Sequence, residues 1–216
     1  MKIPILIQNE NWLAVDKPTG LSVHNAEEST NLLQELEANF GKLFPVHRLD
    51  RETSGVQLLA RNSASAQKLA EQFQTHSLKK FYQGIVAGEL ADSGIWNLAL
   101  SDKAEGRNNP AGLSADRKNC ETRFRVERKS NYFSCLEFEI LTGRQHQIRK
   151  HCLLSGHALI GDPRYGNPKY NQKISELYGF KRMALHCSRL VLADGTEISC
   201  KFPEEFNRLF PSHLPN

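Results

Sequence analysis

An α+β fold on a mixed, mostly antiparallel sheet is what this 216-residue chain predicts, and three observations carry it. Apolar segments with the two-residue period of strands come in pairs separated by turn residues, helical patterns occur singly between them, and nothing repeats along the chain. A doubly wound parallel sheet would instead need strands and helices in strict alternation.

The elements follow in order. Residues 4–8 (PILIQ) and 12–16 (WLAVD) read as a hairpin around the polar turn Asn9–Asn11, ended by Lys17-Pro18-Thr19-Gly20. Leu32, Leu33, Leu36 and Phe40 recur at helical spacing behind Thr30 or Asn31 as cap, and Gly41 stops that helix. A strand over Val56–Arg61 leads to Asn62 or Ser63 as the cap of a helix that puts Ala66, Leu69, Ala70 and Phe73 on one face, followed by a strand over Phe81–Ala87. The stretch 101–119, polar and rich in Gly, Pro and Asn, is the expected subdomain boundary within a single domain spanning 1–216. Thr122–Glu127 and Leu136–Ile140 alternate as half-buried strands do. Thr142 and Gln145 have the spacing of a capping box, predicting a helix from there to about Ser155, and Asp194-Gly195 predicts a last hairpin.

Composition narrows the function classes. With 39% hydrophobic and 24% charged residues the chain is an ordinary globular sequence, which excludes collagen, coiled coil and wholesale disorder. Its apolar runs, such as Ile5–Ile7 and Leu98–Leu100, fall far short of the ~20 residues that span a bilayer. No signal-peptide pattern opens the chain, so a cytoplasmic, unprocessed protein is expected; a monomer is expected as well. Five cysteines without a CxxC pair suggest neither a disulfide framework nor a zinc ribbon. Residues 117–182 hold 14 Lys and Arg against 6 Asp and Glu, a local excess that marks either a polyanion-binding surface, RNA or DNA first, or a solvated charged face.

Two polar clusters carry the chemistry. In His47-Arg48-Leu49-Asp50-Arg51-Glu52-Thr53-Ser54-Gly55, Arg48 and Arg51 bracket Asp50, and opposite charges favour an ionised carboxylate able to act as nucleophile or general base. A structural Asp in a turn accounts for the same pattern. In Leu141 to His151 (LTGRQHQIRKH), a helix would bring His146, Arg149 and Lys150 to one side, facing an anion. His146 and His151 lie five apart with no HExxH or Cys partner, which puts them on different faces and argues against a metal site.

Together HRLDRETSG and LTGRQHQIRKH closely resemble the RluA family of pseudouridine synthases, with its HRLDxxTSG and TGRxHQIRxH signatures. The resemblance extends through DKPTGLSVH at 16–24, KKFYQGIVAG at 79–88, GHALIGDPRYG at 156–166 and MALHCSRL at 183–190. It implies a pseudouridine synthase fold of two subdomains with a central active-site cleft, here without the S4-type RNA-binding module. It also implies the isomerisation of specific uridines in ribosomal or transfer RNA, with RNA as partner and neither cofactor nor metal. Asp50 matches the catalytic aspartate, Tyr82 the tyrosine that stacks on the target base, and Arg149 the basic residue paired with the aspartate. Arg48, with His47 beside it, matches the base-flipping group, and Ile148 the aliphatic pocket wall. Arg144, His146, Lys150, Arg117, Arg123, Arg125 and Lys169 are then the expected RNA contacts. A catalytically silent RNA-binding or ribosome-assembly factor on the same fold is the alternative.

The reaction breaks the N1–C1′ bond of uridine, turns the base and rejoins it through C5. One carboxylate suffices for this, whether it attacks as nucleophile or takes a proton, whereas glycoside hydrolysis normally needs two.

Overall fold

The computed structural model describes residues 2–25 and 30–210. They form β1 (Ile5–Gln8), β2 (Trp12–Lys17), α1 (Leu32–Phe40), β3 (Phe44–Pro45), β4 (Ser54–Ala60), α2 (Ser63–Gln74) and β5 (Lys79–Ala87). There follow β6 (Ser93–Trp96), β7 (Leu100–Ser101), β8 (Arg117–Lys118), β9 (Thr122–Lys129) and β10 (Phe133–Ile140). Helices α3 (Gln147–Leu154) and α4 (Pro168–Tyr178) precede the final β11 (Leu185–Val191) and β12 (Glu197–Ser199). Antiparallel strand pairs with one or two helices between them bear out the α+β class. No helix among the described residues is long and apolar enough to cross a membrane.

The chain divides into two compact units, Met1–Lys80 with Cys187–Lys201 and Phe81–His186 with Phe202–Asn216, so it passes between them inside β5, inside β11 and again after Lys201. The stretch 101–119, read from its composition as the boundary, lies within the second unit. It is held there by β7–β8 pairing and by the Lys150 ammonium, which donates to the carbonyls of Ser101 and Lys103, both at 2.8 Å.

In the first unit β1 pairs antiparallel with β2 and β2 with β4, in the register Trp12↔Ala60 to Lys17↔Gly55. The helix α1 starts where the Asn31 side chain accepts from Gln34 N and Gln34 Oε1 accepts from Asn31 N, so Asn31 rather than Thr30 is the cap. Its Leu32, Leu33 and Leu36 pack on Leu13, Val15 and Leu59. Burying each such leucine contributes roughly 1.5–3 kcal/mol. Asn62 caps α2, whose Leu69 is its buried apolar contact.

Every residue of β4 is buried, and Gly55 shows why that strand needs a glycine. Its φ is +108°, and a Cβ there would overlap the carbonyl of Cys187. Gly55→Ala is therefore expected to cost at least about 2 kcal/mol through backbone strain and overpacking, read by denaturant unfolding. A variant within about 0.5 kcal/mol of the parent would mean that the neighbouring backbone can yield.

In the second unit the ladders run β5–β10–β9–β6, all antiparallel, with Tyr82 opposite Phe138. The core beside them gathers Ile85, Phe133, Ile160, Ile174, Phe180 and Phe206. The helix α4, absent from the expected elements, has Asn167 as cap, Pro168 in its first turn and Gly179 as a left-handed stop.

The expected capping box at Thr142 does not form. Helix α3 begins at Gln147, because His146 takes a left-handed conformation with φ +56°. The Gln147 side chain organises the turn instead. Its Oε1 accepts from Thr142 Oγ1 (2.7 Å) and Arg144 N (3.1 Å), and its Nε2 donates to the Glu121 carbonyl (2.9 Å).

Candidate active site

In the first unit the polar loop carrying Asp50 is pinned on both sides. Before it, Gln57 on β4 donates Nε2 to the His47 carbonyl (2.8 Å) and accepts at Oε1 from Leu49 N (3.1 Å). After it, the Lys17 ammonium, itself fully buried, donates to the carbonyls of Leu21 (2.7 Å), Pro18 (3.0 Å) and Arg51 (3.2 Å). Thr19 Oγ1 donates to the Glu52 carbonyl (2.7 Å), and Thr53 N to the Asp50 carbonyl (3.1 Å), which closes the turn. Leu49 is buried, Asp50 half-buried and Arg48 exposed. A carboxylate on a backbone fixed in this way keeps its position without rearranging as charge develops.

His47, expected beside Arg48 at the pocket, is tied to the scaffold of its own loop. Its ring stacks on Phe73 at 4.6 Å between centroids, and its Nε2 accepts from Leu58 N at 3.0 Å, so it anchors the loop to β4 in the neutral form. Burial first, and then the Lys80 charge, push it down to about 3. The unfolded chain protonates this group near 6.5 and the native state only near 3. Its contribution is thus complete above 6.5 and lost as pH falls towards 3. His47→Phe is expected to flatten the loss of stability between about pH 6.5 and 5, measured by denaturant unfolding; an unchanged slope would refute the assignment.

In the second unit Arg149 is buried at 2% exposure and forks onto Asp162, with Nε to Oδ2 at 2.8 Å and Nη2 to Oδ1 at 2.9 Å. Asp162 Oδ1 also accepts from Arg164 N (2.8 Å) and Tyr165 N (3.0 Å). Burial pushes this carboxylate up, but the Arg149 hydrogen bond and charge and those two N–H groups outweigh it and leave it below its ordinary range. The Tyr165 ring lies 5.3 Å from the Arg149 guanidinium, and its hydroxyl shares a 2.9 Å hydrogen bond with His146 Nδ1. Tyr82 and Ile148 are both buried.

The expected RNA contacts separate. Lys150 is fully buried against the 101–103 backbone, so it is a loop anchor and not a surface cation. His146 is half-buried and held by Tyr165. Arg144 bonds Asp102 at 3.0 Å, Arg123 bonds Glu121 at 2.8 Å, and Arg125 lies 3.4 Å from Glu137. Arg117 donates through Nε and Nη2 to the Gly112 carbonyl, and Lys169 is exposed. Sequence reasoning missed Lys17, Gln57 and Asp162. All three lie in or beside the recognised motifs, yet no spacing rule marks a lysine or a glutamine as a clamp for a distant backbone, or an aspartate as the partner of an arginine thirteen residues before it.

Comparison with known proteins gives a consistent result. Residues 11–154 match the family described as RNA pseudouridylate synthase. The chain is 32% identical over 207 residues to tRNA pseudouridine synthase C of Pectobacterium carotovorum subsp. carotovorum, covering 88% of this chain and 55% of that protein. It is 33% identical over 195 residues to ribosomal large subunit pseudouridine synthase C of Salmonella typhi, covering 86% of this chain and 60% of that protein. The chain thus spans little more than half the length of either relative. In fold it is similar to human RNA pseudouridylate synthase domain containing 4, with a TM-score of 0.80, 24% identity and coverage of 99% and 95% of the two chains.

Proposed function

The chain belongs to the RNA pseudouridylate synthase family, a family of isomerases, and on that footing we propose that it converts uridines in transfer or ribosomal RNA to pseudouridine with Asp50 as the catalytic carboxylate. The observation that carries this reading is the clamped HRLDRETSG loop, which holds one half-buried carboxylate in place by backbone hydrogen bonds on both sides. No fixed second carboxylate of the kind a hydrolase pairs with its first is needed, since the base leaves and returns to the same sugar.

Each further residue answers a physical need of the reaction. A uridine stacked in RNA must be flipped out at a cost of a few kcal/mol, and exposed Arg48 is the group assigned to displace it. Tyr82 offers a ring on which the free base stacks, and Ile148 an apolar wall that disfavours water while the base is detached. Arg149, oriented by Asp162, is the cation assigned to the catalytic carboxylate. Asp50 acts either on the sugar or base as nucleophile or on a proton as base.

The test is direct. Purified protein incubated with unmodified transfer RNA and large-subunit ribosomal RNA transcripts is expected to leave pseudouridine at discrete positions in at least one of them. RNA binding without pseudouridine in either transcript would overturn the enzymatic reading.

A further inference from the structure

We propose that Arg107 and Arg164 form a phosphate clasp in the second unit that holds the RNA backbone, with Lys169 as an outlying third cation. Ion pairing, not sequence position, decides which cations of this unit can attract a polyanion. Arg123, Arg125, Lys129, Lys118 and Arg144 each lie within 4 Å of a carboxylate, the closest being Lys129 to Asp92 at 2.6 Å. Neither Arg107 nor Arg164 is paired with a carboxylate among the described residues.

Their tethers are reciprocal. Arg107 Nη1 donates to the Gly166 carbonyl at 2.9 Å, and Arg164 Nη1 donates back to the Ala104 carbonyl at 2.9 Å. Two loops distant in sequence are thereby stitched together through their arginines, and the two side chains line one open depression with Gly106, Asn108, Pro163 and Pro168. Glu105, two residues from Arg107, accepts at its carboxylate from Ser101 Oγ at 2.8 Å instead, and the carboxylate of Asp162, two residues from Arg164, is taken by the Arg149 guanidinium. The first N–H groups of α4 are taken by Asn167 Oδ1, so the guanidinium groups and not the helix end supply the positive field.

Two like charges held over one concavity repel each other, and a bound anion relieves that repulsion. Each guanidinium has five N–H donors in a planar fork, and the backbone tethers engage only one nitrogen of each, which leaves donors in a geometry suited to phosphate oxygens. Such contacts fix register without reading bases. Resting on the RNA-modifying function proposed above, the ligand is a phosphodiester of the substrate RNA backbone.

Binding of a single-stranded oligouridylate to the whole chain, measured against salt, tests this. Arg107→Gln with Arg164→Gln is expected to flatten the plot of log affinity against log salt by about 0.7 per lost contact, about 1.4 in all, or roughly a 25-fold loss of affinity at ~0.1 M salt. Arg123→Gln with Arg125→Gln should move the slope by less than one contact. The charge-retaining pair Arg107→Lys with Arg164→Lys should restore the slope; if it does not, the tethered loops rather than the charges matter and the clasp is wrong. Should the double Gln variant fail to fold, each single Gln variant is expected to flatten the slope by about 0.7. An unmoved slope in folded Gln variants of an active enzyme overturns the clasp alone. Parent protein that binds the oligouridylate through these arginines but makes no pseudouridine supports the clasp and overturns the enzymatic reading.

Discussion

Asp50→Asn is expected to lower pseudouridine formation by at least about 10³-fold while leaving RNA affinity and melting temperature close to those of the parent. The substitution keeps the size and planarity of the side chain and removes its charge and basicity, which the reaction needs whether the carboxylate attacks or takes a proton. It leaves in place the backbone bonds of this segment, from the carbonyls of Asp50, Arg51 and Glu52 to Thr53, Lys17 and Thr19, and the Arg51 Nε bond to the Gly20 carbonyl. Single-turnover assays on a transcript shown to be a substrate, run beside a binding titration and a thermal melt, separate the possibilities. Turnover at the parent rate would sink the mechanism. A loss of melting temperature as large as the loss of rate would mean that Asp50 is a turn residue, the bland reading of its sequence context.

Arg149→Met is expected to destabilise the protein by ~3–5 kcal/mol, because it strands Asp162 as a buried carboxylate without its counter-charge. For a chain of this size that corresponds to a fall in melting temperature of roughly 6–20 °C. The pH dependence should also change sign. In the parent, Asp162 sits below its ordinary range, so its contribution is complete above the unfolded value of ~3.9 and lost as pH falls through the lower native one. Without Arg149, burial becomes the dominant influence and raises the native value. The charged carboxylate is then penalised as pH rises through that value, and the variant is relatively most stable in acid. Adding Asp162→Leu to Arg149→Met should recover much of the lost stability, since an apolar pair of similar volume needs no ionic partner. Turnover is not expected to return with it, because the guanidinium assigned to the catalytic carboxylate is still missing. A single Met variant that melts like the parent with the same pH slope would show that the fork onto Asp162 carries no energy.

The hairpin of β1 and β2, the α1 helix with its glycine stop, α2 behind Asn62 and the strands β9 and β10 were all legible in the sequence. Each is specified by residues a few positions apart, through the strand period, a cap or a turn glycine. The two motif clusters were legible for another reason: they place several chemically specialised side chains within about ten residues of one another. Tertiary structure decided the rest. A capping-box spacing at Thr142 gave way to a left-handed His146 because Gln147 had better partners in the 142–144 turn and at Glu121. Lys150, a surface cation by sequence, became a buried anchor because the 101–103 carbonyls lie against it. Gln57, Lys17 and Asp162 gained their roles only when strands and loops up to 34 positions away came within 3.2 Å of their polar atoms. Whether a charge faces RNA, a carboxylate or a backbone carbonyl depends on such long-range approaches, and short-range pattern in the chain carries no record of them.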